Sequence, residues 1–343
     1  MRIEELRQRL RALGAGPGHE RHVLSRWVRA QPQGSGKHRI EDFLPKTLRD
    51  ALPALAEELA AVARVRSEHP GADGSARLLV ELADGQAVES VLLPRDGVCV
   101  STQLGCAVGC VFCMTGKGGL LRQLGSAEIV AQVVLARQRR SVRKVVFMGM
   151  GEPAHNLDNV CEVIDLLGSE GDIGHKNLVF STVGDARVFE RLPLGRVKPA
   201  LALSLHSTSA PLRERLMPRA PRIAPAELVE QGERYARLTS YPIQYQWTLI
   251  DGVNDGEDEL DGIVELLHGK YAMMNLIPCN AVDGLPFARP SAERATAIAQ
   301  SLNRRGVYTR LRQSAGQDVD AGCGQLRMRG SAGTRRQIAI EPA

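Results

Sequence analysis

The chain has 343 residues, 43% of them apolar and 24% charged, a balance that gives a globular protein with ample core material and excludes a disordered or fibrous chain. No apolar run reaches the length of a membrane helix, and the charged start MRIEELRQRL lacks a secretory leader's apolar stretch, so a cytoplasmic protein with no membrane partner is expected. Seven cysteines argue against a disulfide scaffold and for metal or redox chemistry, while 6 Phe, 5 Tyr and 2 Trp are too few for a protein that grips nucleic acid mainly by stacking.

The net charge of +5 is unevenly distributed. Residues 1–30 carry seven Arg against three Glu, residues 303–343 carry eight Arg against three acids, and the body between them is net negative. Arg137, Arg139, Arg140, Arg143 and Lys144 form a further cluster. Basic ends around a near-neutral body suit phosphate contacts with nucleic acid, and they suit an ordinary solvated surface equally well.

In chain order, residues 1–60 read as a small helical module. Ile3, Leu6, Leu10 and Leu13 stand at helical spacing, and GAGPG (14–18) and QPQGSGK (31–37) break the pattern. Residues 61–96 contain ARLLVEL, an Asp84-Gly85 turn and QAVESVLLP, which is the signature of a bridging β-hairpin. From residue 97 to 315 strand-like runs alternate with helical ones. The strands are predicted at 98–103, 144–149, 177–182, 199–206, 243–250 and 273–278. Helices are predicted after Ser126 as N-cap, from Pro225, and from Ser291 to a stop at Gly306. Such alternation gives an α/β fold with a parallel sheet, either doubly wound or a full or partial (β/α) barrel, whose chemistry gathers at the carboxyl ends of the strands. Residues 316–343 form a polar, Gly-containing C-terminal loop and basic tail.

The sharpest chemical signal is Gly105-Cys106-Ala107-Val108-Gly109-Cys110-Val111-Phe112-Cys113. Three thiolates so close in a loop can wrap one metal site, and three ligands leave a position open for a small molecule. The plainer reading is a structural zinc loop completed by Cys99 or a distant His. GMGEP (149–153) reads as a strand end whose glycines allow close approach of backbone to a ligand, or simply as a tight turn. Ser181 and Ser204-Leu205-His206 end two further strands, where hydroxyl and imidazole could reach a ligand, although a lone His there is more often structural. Asn280 both donates and accepts, or merely forms a turn. Cys323 lies between glycines in a polar segment and reads as an exposed thiol; Cys161 and Cys279 read as packing residues.

The Cys106–Cys113 loop, with an aromatic before its last cysteine, resembles the cluster loop of the radical S-adenosylmethionine (SAM) superfamily. FMGMGEP (147–153), FST (180–182), LSLH (203–206), LMP (216–218), DGVND (251–255), NLIP (275–278) with Asn280, and DVDAGCGQL (318–326) narrow the resemblance to the RlmN/Cfr family of RNA adenosine methyltransferases. The matches run in family order over most of the chain. The resemblance implies a partial (β/α)6 TIM-like barrel. It implies that Cys106, Cys110 and Cys113 hold a [4Fe–4S] cluster, and that Gly151, Glu152, Ser181, Ser204, Leu205, His206 and Asn280 contact SAM. It further implies that Cys323 accepts a methyl group from one SAM while a second supplies the radical, so that two are consumed per turnover. Glu89 would take the ring proton, and Cys99 would resolve the protein–RNA adduct, leaving a Cys99–Cys323 disulfide for a cellular thiol reductant. The partners so implied are rRNA or tRNA and an electron-donor reductase; a monomer suffices. The methylated atom would be adenine C2 in preference to C8. Two other readings stand beside this one: a radical SAM enzyme on a non-RNA substrate, and a zinc-stabilised RNA-binding protein without catalysis.

Overall fold

The computed structural model describes residues 1–35, 40–280 and 286–312. Cys323, the C-terminal loop and the basic tail lie outside the described residues. The chain begins with four helices, α1 (Ile3–Ala12), α2 (Pro17–Val28), α3 (Ile40–Phe43) and α4 (Lys46–Ala61). Ile3, Leu6 and Leu10 are buried, and so are Leu48, Leu52, Leu55 and Leu59 at matching spacing on α4. Each such side chain contributes roughly 2 kcal/mol of burial. Pro17 opens α2, where a missing N–H costs nothing.

Three antiparallel strands follow, β1 (Ala63–Pro70), β2 (Ala76–Leu82) and β3 (Ala87–Leu93). The expected hairpin is β2–β3, and β1 adds a third strand that the charged sequence ARVRSEHP disguised. β3 pairs antiparallel with β4 (Gly97–Cys99), so the meander is continuous with the main sheet. The strand expected at 98–103 divides: β4 stops at Cys99, and β5 (Gln103–Gly105) pairs separately with β6 (Leu120–Gln123) around α5 (Met114–Lys117).

Next come α6 (Ser126–Arg137), β7 (Lys144–Phe147), α7 (Leu157–Ser169), β8 (Leu178–Thr182), α8 (Ala186–Arg191), β9 (Ala200–Ser204), α9 (Ala210–Leu216), α10 (Pro225–Thr239), β10 (Ile243–Leu249), α11 (Glu257–Leu267), β11 (Ala272–Pro278), α12 (Ala292–Arg304) and β12 (Thr309–Leu311). From β4 to β12 the strands run parallel in the order β4-β7-β8-β9-β10-β11-β12, with β1 and β12 as the edges. This is the expected α/β partial barrel with β12 as an added strand. No helix among the described residues is long and apolar enough to cross a membrane.

Pro225 and Ser291 start helices as predicted, and the Ser291 hydroxyl accepts the Arg294 N–H at 3.1 Å. Ser126 does not cap α6. Gly125 is the cap residue and donates its N–H to the Glu128 carboxylate at 2.7 Å, while the Ser126 hydroxyl accepts the Ile3 N–H at 2.7 Å and donates to Glu162. A serine with a better long-range partner is lost to the cap, and here it fastens α1 to the barrel.

The parallel strands separate two environments. Val98, Val145, Phe147, Phe180, Leu203, Tyr245, Trp247, Met274 and Leu276 join the main core shared with the helices. The alternating positions form the other face, where Cys99 packs with Val91, Val146, Val179, Ala200 and Ala202. Period-two alternation therefore divides the strand residues between the helix-side core and the inner face of the partial barrel.

Candidate active site

Each sequence-predicted site residue on the barrel follows or ends a strand. Cys106, Cys110 and Cys113 follow β5, Gly151 and Glu152 follow β7, Ser181 is on β8, Ser204-Leu205-His206 close β9, and Asn280 follows β11. The cysteine loop is pinned at both flanks. The Cys106 N–H donates to the Gly119 carbonyl (3.0 Å) and the Val111 N–H to the Leu216 carbonyl (3.0 Å). Cys106, Cys110 and Phe112 pack in an apolar cluster with Val108, Leu216, Met217, Ile250 and Cys279. Burial pushes the Cys106 thiol up to about 11 and the Cys110 thiol well above its ordinary value, and Cys113 and Glu152 add to both shifts. The three sulfurs and the Glu152 carboxyl thus share one electrostatic neighbourhood.

The donor chemistry fits an iron–sulfur cluster: three thiols and no carboxylate ligand, in an apolar setting where deprotonation needs a metal cation. Of the fourth ligands that a zinc loop could use, Cys99 is set apart from the three cysteines. Cys99 belongs to the inner-face cluster, separate from the apolar group around Cys106 and Cys110.

Glu152 is fully buried and receives the backbone N–H groups of Ala154 and Val183, both at 3.0 Å, and the Thr182 hydroxyl. Burial raises its pKa to about 7, and the three donors oppose that rise. Its own N–H donates to the Gln103 amide oxygen at 2.7 Å. Gly151 has φ +102°, and a Cβ there would come within 2.5 to 2.7 Å of the Gln103 side chain; one on Gly149 would lie 2.7 Å from the Val100 carbonyl oxygen. The glycines of GMGEP are required by the close passage of the chain around β4 and β5.

His206 is buried with φ +60°, and its Nδ1 accepts the Thr248 N–H at 2.9 Å, so the ring proton resides on Nε2. Burial and then Arg213 push its pKa down to about 3, which keeps the ring neutral. Phe112 of the cysteine loop meets it edge to face at 5.0 Å. Asn280 accepts from Arg289 at 3.1 Å. Ser181 and Ser204 are half-buried on the inner face, and Leu205 is fully buried with its N–H donated to the Gln246 carbonyl at 3.0 Å.

Two residues emerged only with the structure. Arg213 of α9, 4% exposed, donates to the Val183 carbonyl and to the Ser204 carbonyl (3.4 Å), joining the ends of β8 and β9 beside Cys110. Asn254, fully buried, donates to the His206 and Thr248 carbonyls (2.8 and 2.9 Å) and accepts the Ile250 N–H (2.8 Å). The motif DGVND contains Asn254 without marking it, and nothing marks Arg213 among so many arginines.

Glu89 does not face solvent. It is 1% exposed, two residues along β3 from Val91, the register partner of Cys99, and therefore on the same face as that thiol. Its carboxylate pairs with the equally buried Arg77 at 3.4 Å.

The basic clusters have substantial internal duties. Arg7 reaches Glu20 and Glu170, Arg9 pairs with Glu58, and Arg11 pairs with Glu20. Arg137 donates to the carbonyls of Val28, Val142 and Gly171, Arg139 pairs with Glu68, and Arg140 donates to the Gly74 carbonyl. Much of the positive charge in these two segments holds the helical module and the meander against the barrel.

The chain matches the Radical SAM superfamily over residues 100–267. It is 70% identical over 342 residues to a protein of Leptothrix cholodnii named "Probable RNA methyltransferase", covering 100% of this chain and 99% of that one. A similarly named protein of Methylibium petroleiphilum is 73% identical, with 100% and 97% covered. Among solved structures, a radical SAM methyltransferase from Sphaerobacter thermophilus superposes with a TM-score of 0.81 at 36% identity, covering 95% of this chain and 97% of its own.

Proposed function

The chain belongs to a family of radical SAM methyltransferases, and from that premise we propose that it methylates an adenine ring carbon of ribosomal or transfer RNA, at C2 in preference to C8. Cys106, Cys110 and Cys113 would hold the [4Fe–4S] cluster. Gly151, Glu152, Ser181, Ser204, Leu205, His206 and Asn280 would seat SAM, with the Glu152 carboxylate as the anionic partner for its ammonium group and the Nε2–H of His206 as a neutral donor. Turnover would take two molecules of SAM, one as methyl donor to the Cys323 sulfur and one cleaved with the electron that the bound cluster supplies.

The remaining steps fall to side chains of this chain. Cys323 carries the methyl group; the radical derived from SAM would take one of its hydrogen atoms, the carbon left behind would bond to the base, and the adduct would give up one electron, which the bound cluster could accept. Glu89 takes the ring proton as aromaticity returns. The Cys99 thiol then attacks the Cys323 sulfur, the carbon–sulfur bond breaks with release of methylated RNA, and a Cys99–Cys323 disulfide remains for a cellular thiol reductant to open. An electron-donor reductase would recharge the cluster, and a monomer would suffice. The base must leave its stack to enter a barrel.

The observation that supports this reading most is the shared inner-face position of Glu89 and Cys99, an acid and a thiol brought to one side of the sheet by the pairing of β3 with β4. Cys323→Ala tests it. The variant should lose all RNA methylation while keeping cluster absorbance, and retained methylation would remove the two-thiol route. Enzyme that turns over SAM but leaves RNA unchanged would favour a non-RNA substrate.

A further inference from the structure

Among the described residues, the inner face of the barrel holds a buried primary amide with no hydrogen-bond partner. Asn275, in the middle of β11, is 1% exposed, and neither its Nδ2 nor its Oδ1 has a hydrogen-bond partner among the described residues. Its neighbours Met274 and Leu276 point into the helix-side core, so Asn275 points the other way. Parallel pairing places it in register with Gln246, which is itself in register with Ser204. Ser204, Gln246 and Asn275 therefore form a polar row across three adjacent strands, level with the last residue of β9.

Leaving a primary amide buried and unsatisfied costs free energy that a carbon side chain would avoid. The sequence could have placed Leu or Met here, as it does on either side. The amide presents a donor and an acceptor side by side in a plane, and its complement is a planar group with an acceptor next to a donor. Adenine has such a pair in N7 and the N6 amino group, the edge that Asn reads bidentately.

We propose that Asn275 recognises the substrate adenine through N6 and N7. This rests on the reading of the chain as an RNA adenosine methyltransferase. It also bears on regiochemistry: C8 adjoins N7 and would be covered by the amide, whereas C2 lies on the opposite side of the purine, open to the methylated thiol. Asn275 is thus a specificity-determining residue that selects both the base and its reacting carbon.

The test uses the cluster-loaded full chain and transcripts of the peptidyl-transferase region of large-subunit rRNA, made with adenosine or entirely with 7-deazaadenosine. Asn275→Ala and the nearly isosteric Asn275→Leu should lower kcat/KM for methylation about tenfold or more. Reductive cleavage of SAM and methylation of Cys323 should stay within about twofold of wild type, and folding stability should not fall, because the lost groups were unpaired. Wild type should lose about tenfold on the 7-deaza transcript, and the variants should not distinguish the two RNAs. Variants that methylate as well as wild type, or a wild type indifferent to 7-deaza substitution, would overturn the assignment and leave a buried water as the partner of the amide. If wild type methylated neither transcript nor total RNA from cells lacking the gene, the enzyme reading would have failed instead.

Discussion

Glu152 gives the protein a dependence of stability on pH whose size follows from its surroundings. Burial raises the carboxyl from 4.5 to about 7, against the three donors from Ala154, Val183 and Thr182. Because the folded pKa is the higher, the folded state holds the proton more tightly. The contribution is complete below the unfolded value of 4.5, declines as pH rises, and is lost once pH passes the folded value of about 7. A shift of this size at about 1.4 kcal/mol per unit amounts to about 3 kcal/mol, and the group is buried, so solvent screening does not reduce it. Urea denaturation of the cluster-free protein from about pH 4 to about pH 8, for wild type and Glu152→Gln, isolates the effect because the other titrations subtract out. The stability of wild type relative to the variant should fall by about 3 kcal/mol across that range. A difference that stayed flat, or that rose with pH, would refute the reasoning and show that the three donors outweigh burial.

Cys110→Ala should yield a colourless protein with little iron after anaerobic reconstitution, measured by absorbance and iron content; an unchanged brown protein would remove Cys110 from the ligand set. Arg77→Ala removes the guanidinium paired with the buried Glu89 carboxylate and should cost about 3 to 5 kcal/mol in urea denaturation. The paired change Arg77→Met with Glu89→Leu should recover most of that stability and none of the activity. Gly109→Ala meets both a φ of +67° and a Cβ only 2.5 Å from the Arg219 guanidinium. The conformation alone costs about 1 to 2 kcal/mol, so iron loading should fall, and full loading would show that the loop adapts freely.

The sequence was legible where a segment obeyed one physical rule. KVVFMG, NLVFST and MMNLIP are short, β-rich and bounded by turn signals, and each became a parallel strand within a residue or two of its predicted limits. Pro225 and Ser291 marked helix starts because their local chemistry met no competitor. Ser126 failed as a cap because Ile3, 123 residues away, made the better claim on its hydroxyl. β1 was hidden because an edge strand can alternate charged and half-buried positions, and β12 because three residues carry no periodicity. For the site, motif spacing located the strand-end residues but not their environments. The burial of Glu89 against Arg77, the role of Arg213 beside Cys110 and the unpartnered amide of Asn275 depend on register and packing between strands far apart in sequence. The internal duties of the arginines were hidden for the same reason, since their partners at Glu58, Glu68 and Glu170 lie well outside the local charge count.

The central claim, methylation of an RNA adenine by this chain, is tested most directly by nucleoside mass spectrometry of rRNA and tRNA from cells with and without the gene, against 2-methyladenosine and 8-methyladenosine standards. The account predicts that 2-methyladenosine disappears from one RNA fraction on deletion and returns with the wild-type gene but not with Cys323→Ala. Unchanged levels of both nucleosides would contradict it.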